Sequence, residues 1–208
     1  GTGVVTFNAT ATITLLSSDN TFDDLTITPG GGNTVTLATN LIVTNVLTIT
    51  TGTFAKATFT FALGSLTMDG GDLTSTSGAV AVTGAVNISS ALSAIDFGSE
   101  AWTVSGTWTN ASTDGVVWEA GSGTVTFDSA TGGTMTFAGA NLAEDEFNNV
   151  TFNSSAGTAQ TFTMATRGLR FGGSLTVQDG TSTTALVTAG LAINNLSSGT
   201  LVVGDGGI

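Results

Sequence analysis

Three cations, Lys56, Arg167 and Arg170, stand against fifteen acids in this 208-residue chain, which gives a formal charge of −12. Those eighteen groups are nearly all the side chains that could move a proton or hold an ion, because cysteine, histidine and tyrosine are absent. Thiolate and imidazole metal sites, Ser-His and Cys-His nucleophiles and disulfides are therefore excluded. With three cations the chain cannot neutralise a run of phosphates, so nucleic acid is not an expected partner. Carboxylate pairs of the kind glycosidases use are available by number, but nothing in the sequence sets two of them across a cleft. A lyase would also want a base, and bases are scarce. The residues read as non-catalytic and cofactor-free.

What remains is weaker chemistry. Hard oxygen ligands gather at Asp19, Asp23 and Asp24 and at Glu144, Asp145 and Glu146, which would suit Ca²⁺ at a turn. The spacing matches neither the EF-hand loop nor the Gly-rich calcium nonapeptide, so a solvated acidic turn is the simpler reading. Arg167 and Arg170 follow Glu144 and Glu146 by 23 and 24 residues. If the chain coils with that period, the arginines stack over the acids and form an ion pair between turns. Lys56 could form an amide crosslink, but no partner is identifiable. Trp102, Trp108 and Trp118 could stack on a sugar, although packing is the commoner use of such rings. Sequons begin at Asn8, Asn87, Asn110, Asn149, Asn153 and Asn195, each a potential glycosylation site. Thr-x-Thr triplets at Thr10, Thr34, Thr58, Thr134 and Thr161 raise ice binding, which needs such triplets in register on one face; here they recur irregularly.

The elements that must carry these residues are strands. Hydrophobic residues are 40% of the chain, charged residues only 9%, and there are 42 threonines and 19 serines. Twelve phenylalanines and abundant β-branched residues argue against disorder and for pleated structure. Short runs alternate an apolar residue with Thr, as in Leu25-Thr-Ile-Thr28, Leu47-Thr-Ile-Thr50 and Thr124-Val-Thr-Phe127, and each ends in Gly, Asn or Asp. The one segment of helical composition is 141–147. Corners are expected at Asp69-Gly70-Gly71, Asp179-Gly180 and Asp205-Gly206, and a loop at Pro29. Leading apolar residues recur at Leu25, Leu47, Leu66, Val86, Val125, Val150, Leu175 and Leu201. That period, about 20 to 25 residues, is how a β-solenoid reads.

A longer repeat lies over the short one. Gly3-Val-Val-Thr-Phe-Asn8 matches Gly123-Thr-Val-Thr-Phe-Asp128, and Phe22-Asp-Asp-Leu-Thr-Ile27 matches Phe147-Asn-Asn-Val-Thr-Phe152. Residues 34–39 match 161–166, and 47–49 match 175–177. The order is kept while the offset grows from 120 to 128, as loop insertions would produce. This text resembles the β-strand-repeat modules of large prokaryotic surface proteins and adhesins. The resemblance implies an extracellular, fibrous or adhesive protein, with no shared catalytic residues to carry over.

The expected fold is thus all-β: one continuous domain, 1–208, forming a single-chain β-solenoid (β-helix) of about 8–10 rungs. Residues 1–120 make the first long repeat and 121–208 a second, incomplete one. An antiparallel β-sandwich is the alternative, because the same strands would serve it. No run of about 18 apolar residues exists, so membrane insertion is not expected. The chain starts at Gly1 without a secretory signal, which suggests a processed or excised segment. It stops at Ile208 partway through the second repeat, which suggests a homopolymer joined through chain ends or a donated strand. The expected role is an extracellular structural subunit of a self-assembling filament or sheath. An adhesin module recognising surface glycans is the alternative, and ice binding comes third.

Overall fold

The computed structural model describes residues 3–13, 21–90, 92–111, 117–130, 133–137, 146–153, 160–165, 169–177, 184–187, 193–195 and 200–203. The chain coils through three faces in turn. Face A takes Val4–Phe7, Asp24–Ile27, residues 46–49 and 65–68, then Val86–Ile88, Trp108–Asn110, Gly133–Thr136, Gln160–Ala165 and Thr184–Val187. Face B takes a ladder of six strands, Ala11–Ile13, Thr34–Leu37, Thr53–Ala57, Asp72–Ser75, Ala94–Asp96 and Val117–Glu119. Three more form a separate ladder: Glu146–Phe147, Leu169–Phe171 and Ile193–Asn195. Face C takes residues 41–43 and 61–63, Ala79–Val82, Ala101–Val104, Thr124–Asp128, Asn149–Asn153, Ser174–Val177 and Thr200–Val203. The strands Leu41–Ile49 and Phe61–Met68 bend from face C into face A without a break, joining those two faces into one sheet.

Every strand pair among the described residues is parallel, for example Leu25 with Leu47, Leu47 with Leu66, and Trp102 with Val125. The architecture is therefore the β-solenoid, and the antiparallel sandwich is excluded. Each inner position of one turn sits on an inner position of the next. On face A, Leu25, Leu47, Leu66, Val86, Trp108, Met135 and Met164 form one buried column. On face C, Leu41, Phe61, Val80, Trp102, Val125, Val150 and Leu175 form another. Each such side chain contributes about 1.5–3 kcal/mol relative to leaving it exposed. Beyond Phe97 the core turns aromatic: Trp108 and Phe127 lie edge to face at 6.0 Å, and Phe127 stacks on Phe152 at 5.1 Å. The tryptophans at 102 and 108 are core residues, 1% and 0% exposed.

The outer positions are where the threonines go. Thr6, Thr26, Thr48, Thr67, Asn87, Thr109 and Thr136 make one file on face A. Thr103, Thr126, Thr151 and Thr176 make a second on face C. Of the Thr-x-Thr triplets, Thr12 pairs with Thr36 and Thr134 with Thr163, whereas Thr58 and Thr60 flank a corner outside any strand. The regular files come instead from the Leu-Thr-Ile strands. Of the segment 141–147, Glu146–Phe147 is a strand rather than helix, because Phe147 is needed in the aromatic core. Residues 141–145 lie outside the described residues.

The strands matched by the long repeat fall on different faces in space. Val4–Phe7 and Asp24–Ile27 lie on face A, yet their matches, Thr124–Asp128 and Asn149–Asn153, lie on face C. Thr34–Leu37 lies on face B and its match, Gln160–Ala165, on face A. The unit that repeats is one strand and its corner, and any of the three faces accepts it.

In three successive turns, at Gly64, Gly84 and Gly106, the corner between faces C and A is so tight that only glycine fits. A Cβ on Gly84 would lie 2.6 Å from the carbonyl oxygen of Gly64, one on Gly64 would strike that of Asn45, and one on Gly106 that of Gly84. The glycines thus let successive turns touch backbone to backbone. At the expected Asp69-Gly70-Gly71 corner, Gly70 has φ +118°, a conformation closed to other residues. Gly84→Ala should destabilise the fold by about 1–3 kcal/mol through overpacking. Gly31→Ala, where an added Cβ meets open space, should stay within about 0.5 kcal/mol. Urea denaturation of the two variants checks the pair.

Candidate functional site

The interior holds one ion pair among the described residues, and the strand geometry explains it. Thr53–Ala57 alternates outward and inward, so Phe54 and Lys56 both point into the core. Lys56 comes one position beyond the Thr36–Ala55 pair, where the strand beneath buries Leu37. A register irregularity between Ala55 and Ala57, with Ala57 at φ +55°, then brings Ala57 opposite Ser75. A small side chain at Ser75 leaves room for the lysine stem to rise through the core. Glu100, 44 residues later, ends the corner before Ala101–Val104 and points down to meet it.

The ammonium of Lys56 donates to Glu100 Oε1 at 2.8 Å and to the Ser77 carbonyl at 2.8 Å, with Ser75 Oγ at 3.4 Å. It also sits 5.7 Å from the Phe61 ring centroid. Both side chains are fully enclosed. Glu100 Oε2 is buried without a hydrogen-bond partner. The Trp102 indole N–H is near enough to favour the carboxylate but lacks good hydrogen-bond geometry. Burial pushes the Glu100 carboxyl above its usual range; Lys56 opposes this, and Asp96 adds to it. Such a pair gives little net stability, because desolvating two ions offsets most of their attraction. Removing one partner is a different matter, since it leaves an uncompensated charge in the core. Chemically this is a sealed clamp across two turns.

The other sequence-predicted groups fall elsewhere. Asp24 Oδ1 accepts hydrogen bonds from Asn45 Nδ2 at 2.8 Å and the Val46 amide at 3.1 Å, bracing the turn above it. Asp23 accepts from Thr44 Oγ1 at 3.5 Å. Asp19, Glu144, Asp145 and Arg167 lie outside the described residues. Among the described residues no group of three or more acids could hold a metal ion. Glu146 and Arg170 are opposite each other in the separate three-strand ladder, and Arg170 has one buried guanidinium nitrogen without a hydrogen bond.

The sequons divide by burial. Asn8 and Asn87 are exposed, whereas Asn110 is completely buried and cannot carry a glycan in this fold. Asn149 is half-buried and occupied: its Nδ2 donates to the Gly123 carbonyl, and its Oδ1 accepts from the Ser174 amide and hydroxyl at 2.9 Å. Asn153 Nδ2 donates to Asp128 Oδ1 at 3.4 Å. Asn195 is described only as backbone, in Ile193–Asn195, and so is Trp118, in Val117–Glu119.

No protein-family model, no curated protein sequence and no solved structure matches the chain.

Lys56→Met should cost about 3–5 kcal/mol, the penalty for stranding the Glu100 charge. The pH dependence is of opposite sense to ordinary acid unfolding. The folded-state pKa of Glu100 lies above the usual 4.5, so the folded chain holds this proton more tightly than the unfolded one. Its contribution is fully present below that value and is lost as pH rises through the folded pKa. Asp72, also raised by burial, acts in the same direction. In a urea series from pH 4 upward, Glu100→Gln should lack the Glu100 part of this slope and keep the rest.

Proposed function

We propose that the chain is a non-catalytic structural protein, a β-solenoid segment of an extracellular surface filament or sheath. The observation that carries this reading is the division of labour between inner and outer positions along the described turns. Apolar columns face inward and cohere along the axis, while threonine files face out: on face A from Thr6 to Thr136 with Asn87 among them, and on face C from Thr103 to Thr176, beyond Ile42, Ala62 and Ala81. Such a body gains its contacts by adding turns, which is what a filament needs. In this reading copies of the chain assemble by covering one another's turns. The resemblance to repeat modules of prokaryotic surface proteins points the same way.

A second reading is a binding module, an adhesin stalk or face that engages glycans. The face A file favours it, because Thr26, Thr48 and Thr67 present outward hydroxyls about 4.8 Å apart along the axis, with Asn87 next and Thr109 beyond it. The same file keeps ice binding as a third reading.

Electron microscopy of the purified chain at rising concentration separates these readings. Filaments or sheets that lengthen with concentration are expected. Monomers alone at the highest concentration would contradict the structural reading. Binding on a glycan array would favour the adhesin, and thermal hysteresis the ice-binding face.

A further inference from the structure

On face A the apolar column holds the turns together but does little to say which turn belongs on which. Leu25-Thr-Ile-Thr28 and Leu47-Thr-Ile-Thr50 are identical, and Ser65-Leu-Thr-Met68 differs from them only conservatively at its inner positions. Leu25, Leu47 and Leu66 would accept one another in any order, since cores tolerate volume-conserving exchanges. The phase shift of the long repeat makes the same point: one type of strand serves any face. A chain built this way is prone to skipping a turn, looping it out and stacking its neighbours directly.

We infer that the Lys56–Glu100 pair fixes the order of stacking across the turn between them. Lys56 leaves the turn that carries residues 46–49, and Glu100 closes the corner after Val86–Ile88 and Ala94–Asp96. The turn containing residues 65–68, Asp72–Ser75 and Ala79–Val82 lies between, and it supplies Ser75 Oγ and the Ser77 carbonyl to the ammonium. Looping out that turn shifts the two charges by about 4.8 Å along the axis and removes both serine contacts. A mis-stacked chain must then bury an ammonium and a carboxylate with their partners misplaced. The near-equivalent leucines of face A do not impose that penalty, and a single buried polar contact can, as it does for register in coiled coils.

The chain has no cysteine, so introduced pairs can report which turns are neighbours. Thr48 pairs with Thr67, and Thr67 with Asn87, on the outside of face A. Adjacent turns place Cα atoms about 4.8 Å apart, within disulfide reach, and alternate turns place them about 9.6 Å apart, beyond it. In the parent chain Thr48→Cys/Thr67→Cys should oxidise and Thr48→Cys/Asn87→Cys should not. In the background Lys56→Met/Glu100→Leu the chain should still fold, with a melting temperature at least equal to the parent's. There the Thr48→Cys/Asn87→Cys disulfide should rise about tenfold or more, the mark of at least about 1.4 kcal/mol of lost discrimination. A folded double variant with the parent's disulfide pattern overturns the inference. So does a double variant that fails to fold, because the pair would then be needed for stability rather than for order.

Discussion

Every feature of this protein follows from the requirement that a turn of the coil be covered by the turn before and the turn after. A single turn has three short strands and a handful of inward apolar residues, far too little to fold alone. Only in-register parallel stacking closes the core, and it does so by placing like on like: Leu on Leu, Phe on Phe, Thr on Thr. Face C shows the rule in its outer line, Thr103, Thr126, Thr151 and Thr176, beside an inner line in which Phe127 sits on Phe152 between Val104 and Val177. The same requirement dictates the corners. Turns can sit at sheet spacing only where the bends also stack, and Gly64, Gly84 and Gly106 do so because nothing larger than hydrogen fits between carbonyl and Cα.

Polar groups survive in this scheme where they bridge turns. Asn149 ties its own turn to the one below through Gly123 and to the one above through Ser174. Asp24 does similar work for Asn45 and Val46. The Lys56–Glu100 pair takes this furthest, spanning two turns at the core, and its orphaned Oε2 shows that the site is not optimised for stability. An interaction that costs desolvation and leaves an acceptor unpaired fits a role in choosing among nearly equivalent stackings. The surface is left with few charges, and hydroxyls line most of the described face A file and the later turns of face C. That is the property on which both the filament reading and the binding reading depend.

The fold was legible because alternation and period are properties of composition order, and both are strong here. Leu47-Thr-Ile-Thr50 reads as a half-buried strand from four letters, and its recurrence near 20 residues reads as a coil. The phase of the long repeat was not legible, since a strand of this kind carries no mark of the face it will occupy. The partner of Lys56 was also hidden. One signal did exist: in Phe54-Ala-Lys56-Ala the lysine shares the parity of a core phenylalanine, so the alternation itself points it inward. Finding Glu100 requires knowing how many turns the lysine side chain rises, which depends on the local irregularity at Ala57. The sequon at Asn110 misled for a related reason, because the motif is blind to which side of the strand it falls on.

The most direct test of the parallel coil is a ruler along the outside of face A. Spin labels placed in pairs at Thr26 and Thr67, Thr26 and Asn87, and Thr26 and Thr109 lie two, three and four turns apart in one file. Double electron–electron resonance should give separations that lengthen by about 4.8 Å with each added turn. Separations that fail to grow in sequence order, or that fold back as an antiparallel sheet would make them, would contradict the stacked coil and all that is built on it.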